Sequence, residues 1–220
     1  MTKGKFLVIE GTDGAGKTTQ IKLLENALKK ANMSYQVIDF PRYKDNEYGK
    51  LVRRYLIGEF GSLGNVSPYL ASLPYAGDRL LAKPEIEKWL NDGKLVIANR
   101  YACANKGHMS AKLPIGVRQE FVDWLDNLEY KENKIPREDL VVLLFVDPKI
   151  AQKNINTRDR SVDIHEKNLQ YQKKVAKAFL DLSQKEKNWV VVDCGKDDNM
   201  RKPADIHREI LGILKKKNIL

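Results

Sequence analysis

Short apolar runs alternate along the chain with longer stretches in which apolar residues recur at helical spacing. Phe6-Leu7-Val8-Ile9, Tyr35-Gln36-Val37-Ile38, Leu95-Val96-Ile97-Ala98, Leu140 to Val146 and Trp189-Val190-Val191-Val192 are rich in strand-forming residues. They lack the apolar/polar alternation of a half-exposed strand, which predicts strands buried on both faces of a parallel sheet. Helical spacing links Ile21, Leu24, Ala27 and Leu28, then Leu51, Tyr55 and Leu56, then Ile86, Trp89 and Leu90. It returns from Val117 to Leu128, at Leu169, Val175, Ala176 and Phe179, and at Ile206, Ile210 and Leu214. Gly58 to Pro68 reads as a loop. Thr157 to Asp163 is polar and lies between two helical stretches, which predicts a surface loop and a candidate lid over about 156–165. Strands alternating with helices predict an α/β doubly wound, five-stranded parallel sheet with helices on both faces, in one domain spanning 1–220. An insert over about 44–93 separates the second and third strands. Spacing alone leaves the strand order open.

Composition narrows the function classes. A chain of 220 residues suffices for one well-cored domain, and its net charge of +10 suits anionic partners. Cys103 and Cys194 lie far apart with no CxxC, so neither a disulfide framework nor a structural zinc site has a basis. His165-Glu166 lacks the second histidine of a metal-binding helix motif. No apolar stretch approaches the roughly 18–20 residues that span a membrane. The chain enters its first strand without room for a signal-peptide core, so the expected compartment is cytoplasmic. Lys215-Lys216-Lys217 reads as a basic helix C-terminus, where the dipole favours cations, rather than as a nucleic-acid tail.

The strongest chemical signal is Gly11-Thr12-Asp13-Gly14-Ala15-Gly16-Lys17-Thr18, followed by Thr19. It satisfies G-x-x-x-x-G-K-[ST] with a strand before it and a helix after it, the context the motif requires. The glycines let backbone N–H groups approach phosphate oxygens, the helix N-terminus adds positive field, Lys17 reaches the β- and γ-phosphates, and the Thr18 hydroxyl is a Mg²⁺ ligand. ATP is the expected nucleotide. Phosphoryl transfer also needs cations where charge moves, which directs attention to Arg42, Arg79 and Arg100 near element ends and to Arg158 and Arg160 in the candidate lid.

Ordered blocks extend the signal beyond this loop. Phe6 to Gln20 is followed by Phe40-Pro41-Arg42-Tyr43, by Gly49 to Gly61, by Tyr75-Ala76-Gly77-Asp78-Arg79 and by Asn99-Arg100-Tyr101. In this order, from about Lys5 to Cys194, the chain resembles the thymidylate kinases. The resemblance implies transfer of the ATP γ-phosphoryl group to thymidine 5′-monophosphate (dTMP), with Mg²⁺, in a homodimer acting on small molecules rather than on nucleic acid or membrane. It further implies that Asp13 meets the acceptor sugar, that Arg42 and Arg100 hold the acceptor phosphate, and that Tyr75 stacks on thymine beside Phe40. Arg79 and Asn105 would read the base edge. Some relatives carry a catalytic arginine inside the phosphate loop; here position 14 is Gly, so Arg158 or Arg160 is expected to supply that cation.

Three departures from the family pattern stand out. Asn99 stands where an acidic residue is usual, raising the question of whether Glu10 or Asp147 replaces its charge. Ala104 stands in place of Ser, and Gly107-His108-Met109 in place of Ala-Tyr-Gln or Ala-His-Gln. These changes keep two alternatives open: another pyrimidine monophosphate such as dUMP as acceptor, or a weakened nucleotide-binding protein.

Overall fold

The structure, a computed structural model, describes residues 3–62, 64–156 and 168–220. Five parallel strands form the main sheet: β1 (Phe6–Gly11), β2 (Tyr35–Asp39), β3 (Leu95–Asn99), β4 (Leu140–Phe145) and β5 (Trp189–Asp193), in the order β2-β3-β1-β4-β5. The helices are α1 (Lys17–Lys30), α2 (Glu47–Leu56), α3 (Pro68–Asn91), α4 (Ala102–Ser110), α5 (Arg118–Asp126), α6 (Pro148–Asn156), α7 (Leu169–Lys185) and α8 (Pro203–Lys216).

The missing alternation in the strands has a direct cause. Phe6, Val8, Val96, Ala98, Val141 and Leu143 point into one apolar cluster, packed under α2, α3, α4, α5 and α7. Leu7, Ile9, Leu95, Ile97, Val142 and Leu144 point into a second, covered by α1 and α8. The three central strands are therefore covered on both sides. The edge strands differ from the expectation: β2 is mostly half-buried and Val191 of β5 is exposed, because each has a neighbour on one side only.

Helix phases follow the apolar spacing with one shift. In α2, Val52, Tyr55 and Leu56 face the core while Leu51 is exposed, so the buried stripe starts one residue later than predicted. Ile86 and Leu90 of α3 and Ile206, Ile210 and Leu214 of α8 are buried as their spacing requires. The segment after β3 ends differently from a plain helix: α5 runs on into a π-helical turn, Asn127–Glu132, whose Glu129 is turned fully inward. A short hairpin, β6 (Gly195–Lys196) with β7 (Asn199–Met200), had no periodicity to announce it. Gly107 of α4 fits α7 closely, since a Cβ there would stand 2.4 Å from the Phe179 ring; this accounts for glycine at that departure. Among the described residues, no helix is long and apolar enough to cross a membrane.

Candidate functional site

The sheet order places β1 at the switch between strands laid down on either side of it, where α/β folds open a crevice at the strand carboxyl ends. The phosphate loop leaves β1 at that point. Gly11, Gly14 and Gly16 have φ of 152°, 84° and 89°, values that side-chain-bearing residues rarely adopt. A Cβ at Gly14 would also stand 2.5 Å from the Ala151 carbonyl oxygen, so the loop has no space for an arginine there. Ala15 is buried beneath the loop. Lys17 Nζ donates to the Gly11 and Thr12 carbonyls at 2.9 and 3.0 Å, which folds it over the loop. Gly16, Lys17, Thr18 and Thr19 line a cleft together with Asp13, Asp39, Phe40, Asn99 and Arg100.

Arg100 joins this cleft to a second one. Its backbone N–H donates to the Ile9 carbonyl at 3.1 Å, and it is held at φ 68°, a strained conformation for a residue with a Cβ. The guanidinium donates to Asp13 Oδ1 at 2.6 Å and to Glu10 Oε1 at 2.8 Å. Burial lowers its pKa, but the charges of Asp13 and Glu10 more than reverse this and leave it above its ordinary value. His108 Nε2 lies 3.1 Å from the same guanidinium. A guanidinium can only donate, so in this contact the imidazole nitrogen is the acceptor.

The second cleft is lined by Asp13, Pro41, Tyr43, Leu56, Tyr75, Arg100, Ala104, Asn105, His108 and Met109. Arg79 lies behind Asn105 and is 1% exposed. It forms an ion pair with Glu129, its Nε donating to Oε1 at 3.0 Å, and its Nη1 approaches the Tyr101 carbonyl and Asn105 Oδ1, both at 3.4 Å. Burial lowers the Arg79 pKa and Glu129 more than compensates. With the Asn105 oxygen turned to this cation, its amide Nδ2 is buried without a hydrogen-bond partner among the described residues.

Asp13, Lys17, Thr18, Arg100, Tyr75 and Asn105 are thus brought together around two adjoining clefts. Phe40 is buried against Tyr101, ring centroids 5.6 Å apart, and reaches the nucleotide side. Arg42 is not brought to the acceptor cleft: its Nε donates to Asp78 Oδ1 at 2.9 Å and its backbone N–H to Oδ2 at 2.8 Å. Arg158, Arg160 and the candidate lid from 157 onward lie outside the described residues. Glu10 and Asp147, the two carboxylates that could replace an acidic residue at 99, both accept hydrogen bonds within the protein. Glu10 is fully buried and accepts from Arg100 and from the Gly11 N–H at 2.9 Å, and Asp147 caps α6 by accepting from the Lys149 N–H at 2.7 Å. The partners of Arg79 and Asn99, namely Glu129 and Asp39, carry no local sequence signal.

Among the described residues, no group of three or more His, Cys, Asp or Glu side chains could hold a metal by itself. The nucleotide cleft fits Mg²⁺ on other grounds. It offers the Thr18 hydroxyl, the Asp39 carboxylate and the buried Asn99 Oδ1, which has no hydrogen-bond partner among the described residues. Hard oxygen donors with few carboxylates suit an ion that keeps water and takes phosphate oxygens from a nucleotide.

Comparison with known proteins agrees with this geometry. The thymidylate kinase family model matches residues 9–202. The probable thymidylate kinase of Thermococcus gammatolerans is 32% identical over 224 aligned residues, covering 97% of each chain. That of Pyrobaculum aerophilum is 29% identical over 212 residues, covering 96% of each. The solved thymidylate kinase of Candida albicans superposes with a TM-score of 0.77 at 22% identity, covering 99% of this chain and 93% of that one. A match over most of the sequence, with relatives aligned nearly end to end, places the chain in the thymidylate kinase family.

Proposed function

We propose that this protein transfers the γ-phosphoryl group of ATP to dTMP, giving dTDP and ADP. The observation that carries this reading is the pair of clefts meeting at Arg100, one floored by the phosphate loop, the other by Tyr75 and the Asn105 amide, whose Nδ2 has no hydrogen-bond partner among the described residues. A monophosphate with its base against Tyr75 has its phosphate end directed towards Arg100. The Asn105 N–H, backed by the cationic Arg79, favours a base edge that presents carbonyl oxygens, as thymine and uracil do, over the amino edge of cytosine. Leu56, Pro41 and Met109 give that cleft apolar walls for the 5-methyl group, a feature worth roughly 1–3 kcal/mol of discrimination.

The chemistry asks little covalent participation of the protein. An acceptor phosphate is already an anionic nucleophile at neutral pH, so positioning and charge stabilisation carry the rate. The loop amides of residues 13–18, the α1 N-terminus and Lys17 hold the donor phosphates, while Arg100 aligns the acceptor. Asp13 and Glu10 keep Arg100 oriented before the substrate arrives. Thr18 would hold the Mg²⁺ that accompanies the nucleotide, which would supply charge neutralisation at the β- and γ-phosphates. We assign the remaining transition-state cation to Arg158 or Arg160; the absence of room for an arginine at position 14 supports this.

The insert of about 44–93 is read as acceptor-binding, because α2 and α3 contribute Leu56, Tyr75 and Arg79. Both apolar clusters share one sheet, which supports a single domain. Leu70, Leu73, Leu80 and Leu81 expose an apolar stripe along α3 at helical spacing, which supports a homodimer formed through that face.

Calorimetric titration of dTMP, dUMP and dCMP tests the acceptor reading. The order expected is dTMP tightest and dCMP weakest, with Asn105→Ala narrowing the gap between dTMP and dCMP. Equal binding of dCMP and dTMP to the unaltered protein would overturn it.

A further inference from the structure

The register of the sheet aligns Asp39, Asn99 and Ile9 in one row at the carboxyl ends of β2, β3 and β1, beside the phosphate loop. Asn99 Nδ2 donates to Asp39 Oδ1 at 2.7 Å. A carboxylate only accepts, so the NH₂ group must face Asp39 and the carbonyl oxygen must face away. That carbonyl oxygen is the one buried without a hydrogen-bond partner among the described residues, and both residues line the cleft that holds Lys17 and Thr18. Asp13, the other carboxylate among the described residues that line this cleft, is bound by Arg100. Asp39 accepts a hydrogen bond from the neutral amide of Asn99 and sets a carboxylate in a cleft built for phosphates. A phosphate site that places a carboxylate there gains nothing from it electrostatically unless a cation lies between them.

We propose that Asp39 is the positioning carboxylate for the hydrated Mg²⁺ of the bound nucleotide, with Asn99 as the neutral residue that holds it in place. The amide at 99 follows from the carboxylate at 39. Two carboxylates within hydrogen-bond distance could not both ionise without strong repulsion, whereas an Asp–Asn pair keeps one charge and one hydrogen bond. This inference rests on the kinase reading for the nucleotide but not on the identity of the acceptor.

The test measures binding of a non-hydrolysable ATP analogue with and without Mg²⁺; the ratio of the two affinities is the metal coupling. Asp39→Asn preserves an oxygen that accepts from Asn99 and removes only the charge. Asp39 is exposed at the end of an edge strand, so the melting temperature is expected to stay unchanged. The coupling should fall by about tenfold or more, the scale on which residues supporting a metal act. Affinity for the analogue without Mg²⁺ should not weaken. Asp39→Asn combined with Asn99→Asp returns the charge from the neighbouring strand and should restore the coupling. Electron paramagnetic resonance of Mn²⁺ in the analogue complex provides a second readout, with a weaker Mn²⁺ affinity expected in Asp39→Asn alone. Coupling within twofold of the unaltered protein in Asp39→Asn would overturn the proposal. Failure of the unaltered protein to phosphorylate dTMP, with coupling still dependent on Asp39, would overturn the acceptor reading and leave this one standing.

Discussion

Glu129→Gln removes the counter-charge from a guanidinium that is 1% exposed, with almost no change of shape. Arg79 and Glu129 meet fifty positions apart in sequence, one on α3 and the other in the π-helical turn, and Glu129 itself is fully buried. Breaking a buried pair by neutralising one partner costs about 3–5 kcal/mol, because the remaining charge is left without compensation. The Tyr101 carbonyl and Asn105 Oδ1, both at 3.4 Å, soften that loss only slightly. For a domain of this size each kcal/mol moves the melting temperature by about 2–4 °C, so a fall of about 6–20 °C is expected. Scanning calorimetry at neutral pH measures it directly. The double variant Arg79→Met/Glu129→Leu separates stability from recognition: replacing both charges by apolar groups should recover most of the stability. Its dTMP binding should stay weak, because the cation behind Asn105 is gone. A fall below about 2 °C in Glu129→Gln, or full dTMP affinity in the stable double variant, would refute the reasoning.

Three further outcomes follow from named contacts. Tyr75→Ala should weaken dTMP binding about 5- to 150-fold, since base–aromatic stacking is worth about 1–3 kcal/mol, and titration calorimetry reads it; an unchanged affinity would remove Tyr75 from the base site. Gly14→Arg forces a Cβ to within 2.5 Å of the Ala151 carbonyl at a φ of 84°, so it should lower the melting temperature and impair ATP binding; a stable, more active variant would contradict the loop geometry. Lys112 donates to the Val66 carbonyl at 2.7 Å, and burial brings its pKa down from 10.5 to about 8. The unfolded chain then binds more protons across that window, so Lys112 contributes stability that is present above its unfolded value and lost as pH falls through about 8. Lys112→Met should flatten the pH dependence of stability there, which denaturant titrations at stepped pH would detect; an unaltered slope would show that Lys112 titrates as an exposed lysine.

The parts of the fold written in local spacing were the legible ones. The run from Phe6 through the glycine-rich loop into α1 is contiguous, so its strand, turn and helix announce one another. The uniformly apolar central strands could be read as covered on both faces, because the cause, two opposed clusters, leaves no polar positions in them. The edge strands read the same way although their surroundings differ, since neighbour number is a property of the assembled sheet. The apolar spacing puts Leu51 on the core face because leucine and valine are equally apolar and a one-residue phase shift in a ten-residue helix is invisible in composition. Residues defined by a partner far along the chain were beyond reach. Arg79 gave no hint of Glu129, Arg42 none of Asp78, and Asn99 was recognisable as a change in charge without any sign that Asp39 lies beside it across the sheet.

ADP release in the presence of ATP and Mg²⁺, measured with dTMP, dUMP, dCMP, dAMP and dGMP in turn and beside a Lys17→Ala control, bears most directly on the claim that two clefts meeting at Arg100 make a thymidylate-directed kinase. The account predicts the highest kcat/KM with dTMP, and a loss of at least about a hundredfold in the control, the scale of removing a charge stabiliser from a transition state. Turnover that prefers dCMP or a purine monophosphate, or ATP binding with no phosphorylation of any acceptor, would contradict it.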